Sequence, residues 1–328
     1  MRPVARVCVA LAGTVVSVVL LGSSGPSSST VEPMCPGGSN PSADVILCDD
    51  FEDTAFQSRW ALGSHFNRWP LADFVLCTGD NFGFKSRCAA WSNLLIFDNA
   101  WGFWGYDSRR SFPPQAEFYV RWYQYVSNPY AWGALEDKSV MLHDQANTLV
   151  AYVGTSRNHL PVVPDSGPGR PFVANYQDVD VDETGGLYTR VNRFQNQGQN
   201  ITLQPGNWYF FEWYLKLNDP GVSNGVTKLW VGDANASQSA ETLRMHYTDM
   251  RWLQTQDAGK RFGVVRLTVY DQRCDIGPNT CPPNGPAILS QSHRWDQLVV
   301  STSPIGAIGA PAAPTNIRII RQPPAIER

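Results

Sequence analysis

Hydrophobic and polar positions alternate most strictly from Trp208 to Asp233, WYFFEWYLKLNDPGVSNGVTKLWVGD. Phe211, Trp213, Leu215 and Leu217 share one parity; Phe210, Glu212, Tyr214 and Lys216 share the other. A period of two marks a strand with one face in a core. Asn218 to Gly225 is dense in turn residues and Lys228 to Val231 alternates again, so the stretch predicts a hairpin. Its second face carries Phe210, Glu212, Tyr214, Lys216, Lys228 and Trp230, rings mixed with charges rather than the Thr and Ser of a solvated surface. Such a face suits a polar ligand held against flat apolar groups.

The same period recurs. Glu117 to Val126 places Phe118, Val120, Trp122 and Gln124 on one side, and Tyr119, Arg121, Tyr123 and Tyr125 on the other. Val45 to Phe51, Leu94 to Phe97, Lys138 to His143, Thr148 to Val153, Leu187 to Phe194, Arg261 to Asp271 and Gln297 to Ser301 are further strand candidates. Ser139, Met141 and His143 fall on one parity, as do Tyr188, Arg190 and Asn192. Residues 157–176 read as a long Pro/Gly loop, Trp101 to Tyr106 as a ring-rich loop, and Leu243 to Met250 as a loop or short strand. Asp178 to Gly186 spaces its acids like a calcium loop but lacks the glycine and glutamate that complete one, so it reads as a solvated hairpin tip. No stretch reads as a long amphipathic helix. The pattern predicts an all-β fold, two antiparallel sheets packed as a β-sandwich of the jelly-roll kind.

Composition sharpens this. Of the 328 residues 17% are charged, below the roughly 25% of typical soluble domains. Aromatics reach 12%, and 27 Gly with 24 Pro imply many turns. The net charge of −3 gives no electrostatic case for nucleic acid or an anionic membrane surface. Arg2 and Arg6 precede an apolar run from Val7 to Leu21, too short for a comfortable membrane span, and a small polar stretch follows. Residues 1–24 therefore read as a signal peptide, 25–44 as a linker, 45–306 as the sandwich and 307–328 as a Pro/Ala/Gly tail. A secreted or periplasmic chain without stable membrane insertion, and monomeric, is the expectation. Cys8 lies in the signal segment; the other six permit 15 pairings. The simplest set closes short loops: Cys35–Cys48, Cys77–Cys88 and Cys274–Cys281. No CxxC spacing points to zinc. Neither GxSxG nor HExxH occurs, which sets aside the common esterase and metalloprotease motifs.

Three segments share an order with a known group: LCDDFED followed by Trp60; the Trp208/Glu212 strand ending in LKLND, with NG and LWVGD after it; and RWDQLVVSTSPIG near the end. This order resembles secreted proteins of the concanavalin A-like lectin/glucanase fold, in particular bacterial relatives of alginate and glucuronan lyases. The resemblance spans residues 45–306. It implies a curved sheet with a sugar-binding cleft and, in some relatives, a structural calcium, for which Asp50 and Asp296 are the matching positions; no other cofactor is required. The chain departs from the group in lacking an ExDxxE strand and the RSELR-type and YFKAG-type strands.

Cleaving a uronic-acid polymer by β-elimination needs a partner for the carboxylate, a base for the C5 proton and an acid for the leaving oxygen. The resemblance and the residue types together point to His143 or Tyr188 as base, Tyr123 or Tyr214 as acid, and Arg121 or Arg190 on the carboxylate. Glu212, Lys216, Asn192, Trp230 and Tyr125 are the expected polysaccharide-binding groups. All of this requires the four strand faces to line one cleft. The alternative is a lectin-like carbohydrate-binding module, which stacks rings on sugars and needs no poised base. Plainer roles compete residue by residue: Arg121 and Glu212 as a cross-strand pair, His143 as a structural histidine.

Overall fold

The computed structural model describes residues 35, 42–52, 55–63, 73–77, 88–94, 104–128, 136–156, 169–175, 191–197, 200–234, 242–272 and 291–306. In chain order the strands are β1 (Val45–Asp49), β2 (Ala61–Gly63), β3 (Asp73–Cys77), β4 (Cys88–Leu94), β5 (Trp104–Gln115), β6 (Glu117–Val126), β7 (Glu136–His143) and β8 (Val150–Ser156). They continue with β9 (Arg170–Asn175), β10 (Val191–Phe194), β11 (Trp208–Lys216), β12 (Gly225–Asp233), β13 (Thr242–Met250), β14 (Phe262–Gln272) and β15 (Gln291–Ser301). One sheet has eight strands in the order β13-β12-β11-β6-β15-β4-β3, with β1 added beside β15; the other has seven, β10-β9-β8-β7-β14-β5-β2. Neighbouring strands pair antiparallel. This is the predicted β-sandwich. Among the described residues no helix is long and apolar enough to cross a membrane.

The alternation dictates which side chains meet. Val120, Trp122, Phe211, Trp213, Leu229 and Val300 from one sheet share a core with Val140, Leu142, Ala151, Val173, Val265 and Leu267 from the other. Trp122 and Phe211 stack at 4.9 Å. A polar chain runs through this core. Trp122 Nε1 donates to Gln124 Oε1 at 3.1 Å, the Ser139 hydroxyl bonds the same oxygen, and Trp295 Nε1 donates to Ser139 Oγ at 3.2 Å. A register shift between Lys138 and Val140 turns Ser139 inward. It therefore does not share a face with Met141 and His143, contrary to the strict alternation of the sequence; a bulge adds one residue and resets the parity.

Asp49, fully buried at the end of β1, fastens the sandwich at its rim. It accepts Arg59 Nε at 3.0 Å and Nη2 at 2.7 Å, Trp60 Nε1 at 2.9 Å and Arg110 Nη1 at 2.8 Å. The disulfides Cys35–Cys48 and Cys77–Cys88 are formed, with Cα separations of 5.6 and 5.0 Å. Cys274 and Cys281 lie outside the described residues, as do the signal and tail segments and the acidic stretch 178–186.

Candidate functional site

The outer face of the eight-stranded sheet carries most of the rings and charges noted in the sequence. Register places Glu212 between Trp230 and Arg121, Tyr214 between Lys228 and Tyr119, and Phe210 beside Tyr123. The centre of this face is closed. The Glu212 carboxylate accepts the backbone N–H of Ile305 at 3.0 Å and of Gly306 at 2.7 Å, and Arg121 Nη1 donates to the Gly306 carbonyl at 3.2 Å. Residues 302–306 thus lie as a strap across β6 and β11. Ile305 packs on Cys35, Cys48 and Val299. Arg121 is 1% exposed, Tyr123 1% and Glu212 4%.

Around this sealed centre the other side chains are occupied with one another. Tyr214 donates its hydroxyl to Glu117 Oε1 at 2.7 Å; burial, with Glu117 adding to it, pushes its ionisation far up. Burial and the charges of Glu212 and Glu117 raise Tyr119 as well. Lys216, exposed, sits 3.5 Å from Glu117. Tyr125 lies between the Trp208 ring at 5.4 Å and the Arg294 guanidinium at 4.7 Å. Tyr119, Tyr125, Lys228 and Trp230 stay half-buried.

Asp50 and Asp296 are both fully buried. Each Asp50 oxygen accepts a backbone N–H, from Cys35 at 2.9 Å and from Glu52 at 3.3 Å. Among the described residues no three His, Cys, Asp or Glu side chains gather to hold a metal, whereas calcium takes about six to eight oxygens.

His143 belongs to the other sheet. Leu142 faces the core, so His143 points to the outer face of the seven-stranded sheet, opposite Val264 and Val150. The single cleft expected to unite His143 with Arg121, Tyr123, Tyr214 and Glu212 therefore does not form, because the whole sandwich stands between them. Asn192, on β10, takes a place on the seven-stranded sheet opposite Ala174 of β9. Tyr188 and Arg190 lie outside the described residues.

The sequence reading passed over what surrounds His143. On β14, Val265, Leu267 and Val269 enter the core, which turns Arg266 and Thr268 outward. Register sets Arg266 opposite Met141 on β7 and Arg109 on β5. Arg266 Nη1 donates to Asp107 Oδ2 at 2.9 Å and Nη2 to Asn147 Oδ1 at 2.7 Å. Burial lowers the Arg266 pKa and Asp107 opposes that shift; Arg109 adds to it. Lys138 Nζ stands 5.0 Å from the Tyr152 ring centroid. Arg266 and His143 are buried, while Arg109 and Asn147 are exposed at the edge of the cluster. One Arg in the otherwise apolar run VVRLTV was the available signal. The described residues of this face thus hold an Asp107–Arg266–Asn147 cluster with Arg109 at its exposed edge and, two positions along the neighbouring strand, the buried imidazole of His143.

No family model matches the chain, and no curated protein matches it. Among solved structures it is similar to an endo-β-1,4-glucuronan lyase from the fungus Trichoderma reesei, at 10% identity and a TM-score of 0.45, covering 73% of this chain and 93% of that one. It is similar to an alginate lyase from a Chlorella virus, at 13% identity and a TM-score of 0.45, over 78% and 99% of the two chains. It is also similar to the carbohydrate recognition domain of Emp47p, at 11% identity and a TM-score of 0.41, over 80% and 99%. Likeness at this level leaves the activity to be read from the chain's own side chains.

Proposed function

We propose that the protein acts on a uronic-acid-containing polysaccharide by β-elimination, at the outer face of the seven-stranded sheet. One observation carries the reading: Arg266 and His143 sit on diagonal positions of two hydrogen-bonded strands, with His143 opposite Val264 and Arg266 two residues further on. Diagonal neighbours of this kind lie about 7–8 Å apart, within reach of long side chains. Arg266, with Arg109 beside it, takes the C6 carboxylate and so makes the C5 proton acidic. His143 removes that proton, the C4–O bond breaks, a C4–C5 double bond forms, and the imidazole returns the proton it took to the leaving oxygen. Glycan approaches along the exposed edge at Arg109 and Asn147. Tyr123 and Tyr214, on the opposite face, take no part in these steps. The two disulfides and the N-terminal pattern fit an oxidising compartment outside the cytosol.

Binding without cleavage is the second reading. It is favoured by the burial of His143 and by the half-buried rings of Tyr119, Tyr125 and Trp230 on the other sheet. Incubation with alginate, glucuronan and a neutral glucan separates the two. Ultraviolet absorbance of an unsaturated product from a uronate polymer supports the lyase. Retention on the polymer with no new absorbance supports the module, and neither result removes both.

A further inference from the structure

The turn between β7 and β8 is unusually well fixed for a surface connection. Asp144 accepts the N–H of Thr148 at 2.6 Å, the N–H of Leu149 at 2.9 Å and the Thr148 hydroxyl at 2.7 Å. Burial works against its ionised form; the N–H of Leu149 and both groups of Thr148 outweigh that and lower its pKa. Within this turn Asn147 donates its N–H to the Asp144 carbonyl at 3.1 Å and adopts φ +59°. That left-handed backbone favours glycine, with asparagine next. Glycine lacks what Asn147 provides here, the Oδ1 that accepts Arg266 Nη2 at 2.7 Å. On the other side Asp107, buried, accepts Nη1 at 2.9 Å.

We infer that Asn147 and Asp107 are positioning residues that aim the Arg266 guanidinium at the glycan carboxylate; this rests on the reading that the face receives an acidic glycan. A guanidinium is planar, with its N–H groups in a rigid fork. Gripping both terminal nitrogens therefore fixes the plane and the directions of the remaining N–H groups. The charge balance points the same way. Arg109 stands directly opposite Arg266 across the β5–β14 ladder, and like charges in such positions repel. Asp107 places a carboxylate between them, on Arg266 Nη1 at 2.9 Å. Of the two residues that grip the buried guanidinium, Asn147 is the exposed one, on the side from which a polymer would arrive.

The test uses the full chain with Asn147→Gly, which keeps the left-handed turn and removes only the acceptor, and Asn147→Asp, which restores an acceptor oxygen. Arg266→Ala serves as reference. The readouts are kcat and KM on the uronate polymer, calorimetric affinity for a uronate oligosaccharide, and thermal melting. Asn147→Gly loses one hydrogen bond to a charged group and is expected to melt only a few degrees lower, while kcat/KM and oligosaccharide affinity fall by up to about a hundredfold, the scale of a misplaced binding group. Asn147→Asp restores the acceptor but adds a carboxylate beside the proposed anion site, so it is expected to regain the melting temperature without regaining the oligosaccharide affinity. If Arg266→Ala lowers activity or affinity and Asn147→Gly lowers neither, the positioning role is overturned and the assignment of the face stands. If Arg266→Ala itself changes nothing, or the native chain neither cleaves nor binds uronate, the reading of the face fails and the positioning role with it.

Discussion

Glu212→Ala tests whether the charged centre of the eight-stranded sheet supports the fold or meets a ligand. The substitution removes the acceptor of two N–H groups, Ile305 at 3.0 Å and Gly306 at 2.7 Å. Hydrogen bonds to a charged group contribute about 1.5–3 kcal/mol each. It also strips the carboxylate from beside Arg121, which is 1% exposed and pairs with Glu212 in the β6–β11 register. The expected loss is therefore about 4 kcal/mol, equivalent to a fall in melting temperature of roughly 10 °C for a domain of this size. Glu212→Gln, which keeps one carbonyl acceptor, is expected to lose less. Denaturant titration measures the total, and amide hydrogen exchange at Ile305 and Gly306 locates it: both amides lose protection far more than the β6–β11 ladder does. Unchanged stability with those amides still protected refutes the structural role. Full stability with lost action on glycan goes further and makes Glu212 a ligand-facing residue.

Acid stability should depend on His293. Burial depresses its pKa from 6.5 to about 3, so below pH 6.5 the unfolded chain binds a proton that the folded chain refuses. Stability is whole above pH 6.5 and declines as pH falls towards about 3. Between pH 7 and 4 this one group removes about 3 kcal/mol. His293→Phe, which keeps a ring against Trp295 where the centroids now lie 4.1 Å apart, should flatten that decline in urea titrations; an equally steep loss in the variant contradicts the assignment. Gly225→Ala is expected to cost about 1–3 kcal/mol, because its Cβ would stand 2.7 Å from Trp252 Cδ1 and 2.8 Å from the Met250 carbonyl; unchanged melting refutes this crowding.

Strong alternation made the fold readable. The β6 and β11 runs show uninterrupted parity, and the same residues pair as neighbouring strands at the centre of the eight-stranded sheet. β5 was missed because SRRSFPPQ carries charges and two prolines. Proline is tolerated there because β2 pairs only with Asp107, Ser108 and Arg109, leaving the Pro113 and Pro114 side of β5 without a β2 partner. β9 was hidden in a Pro/Gly-rich stretch, where RPFVAN is too short to declare a period.

The candidate site was harder to read for a different reason. Parity tells which residues share a face of one strand, but not which sheet a strand joins. Arg121 and His143 satisfied the same local rule and were assigned to opposite sides by the order β11-β6-β15 against β8-β7-β14. Nor does alternation show that a later segment crosses the face, as residues 302–306 do over Glu212. Arg266 was legible as one charge in an apolar strand; its importance came from Asp107 and Asn147, which are 159 and 119 residues away in sequence.

Acidic glycan is expected to meet the seven-stranded sheet. Amide hydrogen exchange with and without a uronate oligosaccharide tests it most directly. Added protection is expected in β5, β7, β14 and the Asp144–Leu149 turn, with β6, β11 and β12 unchanged. Protection confined to β6, β11 and β12 contradicts it and returns the site to the opposite sheet.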